Sequence, residues 1–237
     1  MSKKTLVEFA GIPGSGKTTI AKALYQSLGS TLFVSFPRRE EYRRKFLHLN
    51  EKISLDLRYI GELFPYRFRR VQQEVRRFGV SLSSVRGGWE LSRYPAILMD
   101  LANRDNAAFF ILDEWLIHRS IDHALNLYPD EEDLRYRYVK NFFSAPLGNI
   151  DIIYVFVQIM PELAFKRVSG DYQPYRNFAI DKTESQIADT LSLWEKQLVN
   201  VSSLLKTWNA PLLTINGSSP VEENVEFLKE KLNLPMS

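Results

Sequence analysis

A chain of 237 residues, 45% hydrophobic and 25% charged, is long enough to bury a sizeable core and too ordinary in composition for a disordered, collagen-like or fibrous protein. The absence of cysteine excludes a disulfide scaffold, Cys-ligated zinc, iron–sulfur clusters and a thiol nucleophile. The net charge of +3 conceals an asymmetry: residues 38–93 carry 12 Arg and 2 Lys against 7 acids, or +7, which leaves −4 for the remainder. Such a segment either meets an anionic partner or forms a solvated, salt-bridged face.

The first residues hold no apolar stretch of signal-peptide length, and Ile152–Val157 is far too short to cross a bilayer. A soluble, cytoplasmic protein is expected.

In chain order, strand-length apolar runs fall at Thr5–Ala10, Thr31–Phe36, Ala108–Leu112 and Asp151–Val157. A fifth, Pro211–Ile215, starts with Pro and is expected at a sheet edge. Helical spacing marks Thr18–Leu28, the stretch 40–78 with a break at Pro65, and Leu91–Asn103. Asp181–Trp208 is amphipathic, with Ile187, Leu191, Trp194, Leu198, Val201 and Leu205 on one face and Asp181 with Glu184 as a capping box. Strands alternating with helices predict an α/β fold with a five-stranded parallel sheet covered by helices on both faces. The whole chain, 1–237, reads as one domain.

Gly11-Ile12-Pro13-Gly14-Ser15-Gly16-Lys17-Thr18 meets every fixed position of G-x-x-x-x-G-K-[ST], between a strand and a helix. The glycines let backbone N–H groups curl around phosphate, and the helix N-terminus adds partial positive charge. The cofactor-binding residues are therefore Gly11, Pro13, Gly14, Ser15, Gly16, Lys17, Thr18 and Thr19, with ATP as cofactor. Lys17 would bridge the outer phosphates, and the Thr18 hydroxyl would ligate Mg²⁺. The strand Phe109–Leu112 ends in Asp113-Glu114, and Asp113 is the second candidate Mg²⁺ residue.

With these elements placed, the chain resembles the P-loop kinases of the nucleoside-monophosphate kinase group, most closely thymidylate kinase. Phe36-Pro37-Arg38-Arg39 is similar to the family's F-P-x-R, and Ser92-Arg93 to its N/D-R. The resemblance implies that Arg39 and Arg93 meet an acceptor phosphate. It implies a three-layer P-loop fold with acceptor-binding helical insertions and a helical lid at 168–178, and that Arg167 or Arg176 acts on the ATP phosphates. Ile215-Asn216-Gly217-Ser218-Ser219-Pro220 resembles the family's last strand and turn. The chain departs from the family after Asp113, where Glu114 and Trp115 stand in place of an Arg-aromatic pair.

Two acceptors stay open. The Arg pair favours a phosphorylated, nucleotide-like acceptor, with 38–93 as its helical binding region; the Asp113-Glu114 pair favours a hydroxyl of a nucleoside, sugar or antibiotic, with one carboxylate as base. A P-loop ATPase in which Glu114 activates water is a third reading. Nucleic-acid binding is disfavoured because acids accompany the basic residues, as in Arg38-Arg39-Glu40-Glu41. His48, His118 and His123 lack metal-ligand spacing. No membrane association is expected, and a homodimer stays open. Phe64–Phe68, Trp89 and Tyr136–Tyr138 are read as either stacking surfaces or packing residues.

Overall fold

The computed structural model describes residues 4–28, 34–35, 48–79, 85, 89, 93–104, 107–113, 117, 120–121, 124, 128, 130–143, 147, 150–169 and 182–234. The strands are β1 (Lys4–Ala10), β2 (Val34–Ser35), β3 (Phe109–Asp113), β4 (Ile150–Gln158) and β5 (Leu212–Asn216). The helices are α1 (Lys17–Leu28), α2 (Leu49–Arg58), α3 (Ile60–Phe78), α4 (Arg93–Arg104), α5 (Glu132–Phe143), α6 (Pro161–Ser169), α7 (Glu184–Thr207) and α8 (Val221–Lys231).

Every strand pairing is parallel, in the order β2-β3-β1-β4-β5. Four full strands make up the sheet, and β2 adds a two-residue ladder at its margin. Of the predicted Thr31–Phe36 strand, Val34–Ser35 are described and are strand; its other residues lie outside those described. Strand β5 does form the opposite edge, and Pro211 stands just before its first residue, its carbonyl accepting from Tyr154 N at 2.9 Å.

Alternation along β1 divides the core. Val7 and Phe9 face Ile20, Leu24 and Leu28 of α1 and Leu228 of α8. Leu6 and Ala10 face α4 and α7, where Ile187, Leu191, Trp194, Leu198, Val201 and Leu205 are all buried, as their spacing predicts. Burying both faces of a parallel sheet requires near-continuous apolar strands, and β1 breaks that rule once, at Glu8. Glu8 is fully buried, and its Oε1 accepts a hydrogen bond from the Ile117 N–H at 2.7 Å.

Two predicted boundaries move. Pro65 does not break its helix: α3 runs through it, and the chain bends earlier, at Tyr59. Gly61 is exposed, so the carbonyl that Pro65 leaves without a donor faces water. The capping box of α7 is Thr183 with Gln186 rather than Asp181 with Glu184. Thr183 Oγ1 accepts from Gln186 N at 3.3 Å while Gln186 Oε1 accepts from Thr183 N at 2.8 Å, so each satisfies the other's free amide.

Among the described residues, no helix is long and apolar enough to cross a membrane.

Candidate active site

The register of β1 with its neighbours builds the site. Phe9 pairs with Asp113 of β3 and Ala10 with Phe156 of β4, so the loop after Ala10 emerges at the carboxyl edge between them. In open parallel sheets, the crevice at this edge, where successive connections leave in opposite directions, receives ligands.

The loop itself has the shape its residues require. Ser15 N donates to Ile12 O at 3.1 Å, closing a turn over Pro13 and Gly14, and Ile20 N donates to Gly16 O at 3.0 Å, opening α1. Gly14 has φ of 85°, and a Cβ there would stand 2.7 Å from Ala164 O, so the position demands glycine on both counts. Gly11 and Ser15 are buried in the cradle, and Thr19 is exposed on the first turn of α1. Lys17 is buried, and its Nζ donates to Ile12 O at 3.3 Å, folded back across the loop.

Thr18 Oγ1 donates to Asp113 Oδ2 at 2.6 Å. A hydroxyl from α1 and a carboxylate from β3, 95 residues apart, therefore meet beside the cradle. These are hard oxygen donors of the kind Mg²⁺ takes, one carboxylate with a hydroxyl and the rest left to phosphate and water. No gathering of three His, Asp or Glu side chains competes for a metal among the described residues. The donor set fits the ion.

On the other side, Arg167 at the end of α6 donates from Nη1 to Gly14 O at 3.2 Å and to Gly217 O at 3.1 Å. It ties the P-loop to the turn between β5 and α8. That turn approaches so closely that a Cβ on Gly217 would overlap Ser15 O, which is why a glycine stands there. Asn216 and Asn224 brace it: Asn216 Oδ1 accepts from Ser218 N at 2.9 Å, and Asn224 Nδ2 donates to Asn216 O at 2.9 Å.

The second cluster lies at the start of α4. Because α4 descends before β3 ascends, Arg93 sits at the same carboxyl edge as Asp113. Arg93, only 7% exposed, donates from Nε and Nη2 to Asp56 of α2 at 3.0 and 2.5 Å. Arg67 of α3, fully buried, reaches Asp56 at 2.9 Å, and Trp89 Nε1 donates to the same carboxylate at 3.0 Å. The Arg67 guanidinium also lies 4.8 Å from the Trp89 ring centre, a cation–π contact. Two guanidinium groups thus share one carboxylate.

Burial pushes the Asp56 carboxyl up, but hydrogen bonds from Arg93 and Trp89 and the charges of Arg67 and Arg93 outweigh it and hold the group below the usual carboxylate range. Burial lowers Arg67, and Asp56 opposes that shift. A further ion pair, Arg58 with the fully buried Asp100, fastens α2 to α4.

The fold is similar to that of a deoxyadenosine kinase. Over 96% of this chain and 98% of the other, the structure of M. mycoides deoxyadenosine kinase with bound dATP superposes with a TM-score of 0.52 at 15% identity. A structure of the same enzyme with dCMP and dCDP covers the same shares at TM-score 0.48 and 14% identity. At this identity the likeness is one of fold alone. No protein-family model matches the chain, and no curated protein matches it in sequence.

Of the expected site residues, the structure brings together Gly11, Pro13, Gly14, Ser15, Gly16, Lys17, Thr18, Asp113 and Arg167. It places Arg93 at the same sheet edge but engages it with Asp56. Arg39, Glu114 and Arg176 lie outside the described residues, as do the lid beyond Ser169, His118 and His123. Sequence reasoning missed Asp56, whose partners Arg67, Trp89 and Arg93 are 11, 33 and 37 residues away. It also passed over Glu8, although one charge inside an apolar buried strand was a readable signal.

Proposed function

We propose that the chain is an ATP-dependent phosphotransferase that moves the γ-phosphoryl group to a small, phosphorylated, nucleotide-like acceptor, with 1–237 acting as one thymidylate kinase-like domain. The observation that carries this reading is the Thr18–Asp113 hydrogen bond at the mouth of a complete P-loop. Thr18 and Asp113 are the residues that would hold Mg²⁺, and the ion, when bound, neutralises charge on the transferred group.

Each protein group then has a defined task. The amides of residues 14–18 bind phosphate oxygens, and Lys17 turns from Ile12 O to the β- and γ-phosphates. Arg167 holds Gly14 and Gly217 so that the cradle keeps its shape. Arg93, with Arg67 behind it, presents positive charge to the acceptor phosphate, which is already ionised and needs no general base. Arg39 and Arg176 are assigned to the acceptor phosphate and to ATP respectively, on the sequence resemblance. Catalysis is positioning and charge stabilisation.

A second reading, transfer to a nucleoside hydroxyl, draws on the fold shared with a deoxyadenosine kinase. It makes Asp113 or Glu114 the group that receives the hydroxyl proton. Both readings are tested by screening Mg-ATP against nucleoside monophosphates, nucleosides, sugars and aminoglycosides, with the Lys17→Ala variant as blank. Transfer to a monophosphate supports the first reading and transfer to a hydroxyl the second. Full-rate hydrolysis without any acceptor overturns both.

A further inference from the structure

Glu8 is the one ionisable side chain that β1 buries fully. It points to the side of Leu6 and Ala10, into the apolar cluster that holds its ladder partners Leu112 and Tyr154. A carboxyl group in such a layer costs free energy that valine or isoleucine would not, so its presence calls for a task. Ile117 supplies one. Its N–H donates to Glu8 Oε1 at 2.7 Å, its carbonyl accepts from the fully buried Ser120 Oγ at 2.9 Å, and its own side chain is fully buried. Both backbone groups of this residue are thus taken by buried side chains, four residues after Asp113. Four residues of extended chain would reach about 13 Å from Asp113. Ile117 is instead kept against the sheet.

We propose that Glu8 is a positioning residue for the phosphoryl transfer: by holding Ile117 it sets the direction in which the chain leaves Asp113, and with it the aim of the Asp113 carboxylate and the place of Glu114. Asp113 is the last residue of β3, so the ladder with Phe9 fixes the chain before it, and Thr18 holds its Oδ2. The restraint from the other side, after Asp113, is the one Glu8 provides. It comes from the strand that also runs into the P-loop: Ala10 leads to Gly11, and Glu8, two residues earlier, holds the exit of β3. The phosphate cradle and the candidate Mg²⁺ residue are therefore tied to the same strand. A displacement of about 1 Å at a reacting centre can cost about 100-fold in rate, enough to account for a buried carboxyl group that packing alone would not select. This role rests on the phosphotransferase reading above and holds for either acceptor, since Asp113 serves both.

Two substitutions in the full chain separate reach from charge. Glu8→Gln keeps an oxygen at the same reach and gives up the charge, whereas Glu8→Asp keeps the charge and falls one methylene short of Ile117. Binding of a non-hydrolysable ATP analogue is measured by isothermal titration in EDTA and in saturating Mg²⁺, beside turnover with the acceptor found in the screen and the thermal unfolding midpoint. In EDTA the variants should bind within about threefold of wild type, because the cradle is untouched. The gain in affinity on adding Mg²⁺ should stay within about threefold in Glu8→Gln and shrink by about tenfold or more in Glu8→Asp. In Glu8→Asp kcat should fall about 10–100-fold, with the acceptor KM within about threefold. Glu8→Met, which fills the volume without an acceptor, should follow Glu8→Asp and replaces it should that chain not fold. A merely structural Glu8 would lower the midpoint and leave the Mg²⁺ gain and kcat alone; that result in folded Glu8→Asp or Glu8→Met overturns the proposal. So does a Glu8→Gln chain as impaired as Glu8→Asp, or a wild type that gains nothing from Mg²⁺. Because the titration needs no turnover, a wild type that phosphorylates no acceptor removes the phosphotransferase reading while the Mg²⁺ gain still decides whether Glu8 positions Asp113.

Discussion

Arg93 and Asp56 are joined side-on, through both Nε and Nη2 of the guanidinium, although they belong to different helices 37 residues apart. Arg67 and Trp89 close on the same carboxylate. Removing the acid and removing one base therefore have unequal consequences. Asp56→Ala leaves two buried guanidinium groups facing each other and is expected to cost about 3–5 kcal/mol of stability. Arg93→Ala leaves Asp56 still neutralised by Arg67 and should cost roughly 1–2 kcal/mol. Urea denaturation of the two variants checks the order; an Arg93 variant less stable than the Asp56 variant contradicts it.

The same carboxylate predicts an acid response. Its folded pKa is depressed, so its contribution is complete above the unfolded value of about 3.9 and is lost as pH falls through the lower folded value. Between pH 5 and 8 the stability gap between wild type and Asp56→Asn should be flat. Below about pH 4 it should close. Denaturation midpoints at pH 7 and pH 3 provide the measurement.

Lys17→Ala should abolish phosphoryl transfer, by about 10²–10³-fold or more, because the charge that would meet the β- and γ-phosphates is gone. Circular dichroism and the unfolding midpoint should stay near wild type. Unchanged turnover in the pure variant would remove Lys17 from the chemistry.

Asp113→Asn keeps a hydrogen-bond acceptor for Thr18 but removes the charge that favours a divalent cation. The Mg²⁺ concentration for half-maximal activity should rise about tenfold or more, while thermal stability changes by less than about 1 kcal/mol. A superimposable Mg²⁺ titration would count against its role.

Gly217→Ala inserts a methyl group onto Ser15 O, the backbone of the phosphate cradle. The loop must give way, since neither backbone is the free end of a flexible side chain. ATP affinity should fall by about tenfold or more with little loss of secondary structure. Isothermal titration with a non-hydrolysable nucleotide would show it.

What could be read from the sequence follows the range of the interactions. The P-loop is eight consecutive residues whose identities are set by backbone conformation and close approach, so it was legible in full. Asp113 was legible because a strand announces its own end. The Asp56 cluster was not, since nothing in the spacing of Asp56, Arg67 and Arg93 marks which faces of three helices will meet. The Arg-rich segment was readable as charge but not as direction: Arg67 and Arg70 turn inward and Phe64 and Phe68 outward, the reverse of what hydropathy alone predicts. For α7, both Asp181-x-x-Glu184 and Thr183-x-x-Gln186 satisfy the capping pattern, and only the geometry of the closed box distinguishes them.

Glu8 has a consequence for how this chain can vary. Its neighbours across the ladder, Leu112 and Tyr154, make the position look suited to valine or isoleucine. Such a replacement would improve the strand by composition and strip the Ile117 amide of its acceptor, four residues beyond Asp113. Because that donor is a backbone amide, no replacement at residue 117 short of proline removes the demand, and residue 8 is expected to keep a side chain that can accept a hydrogen bond.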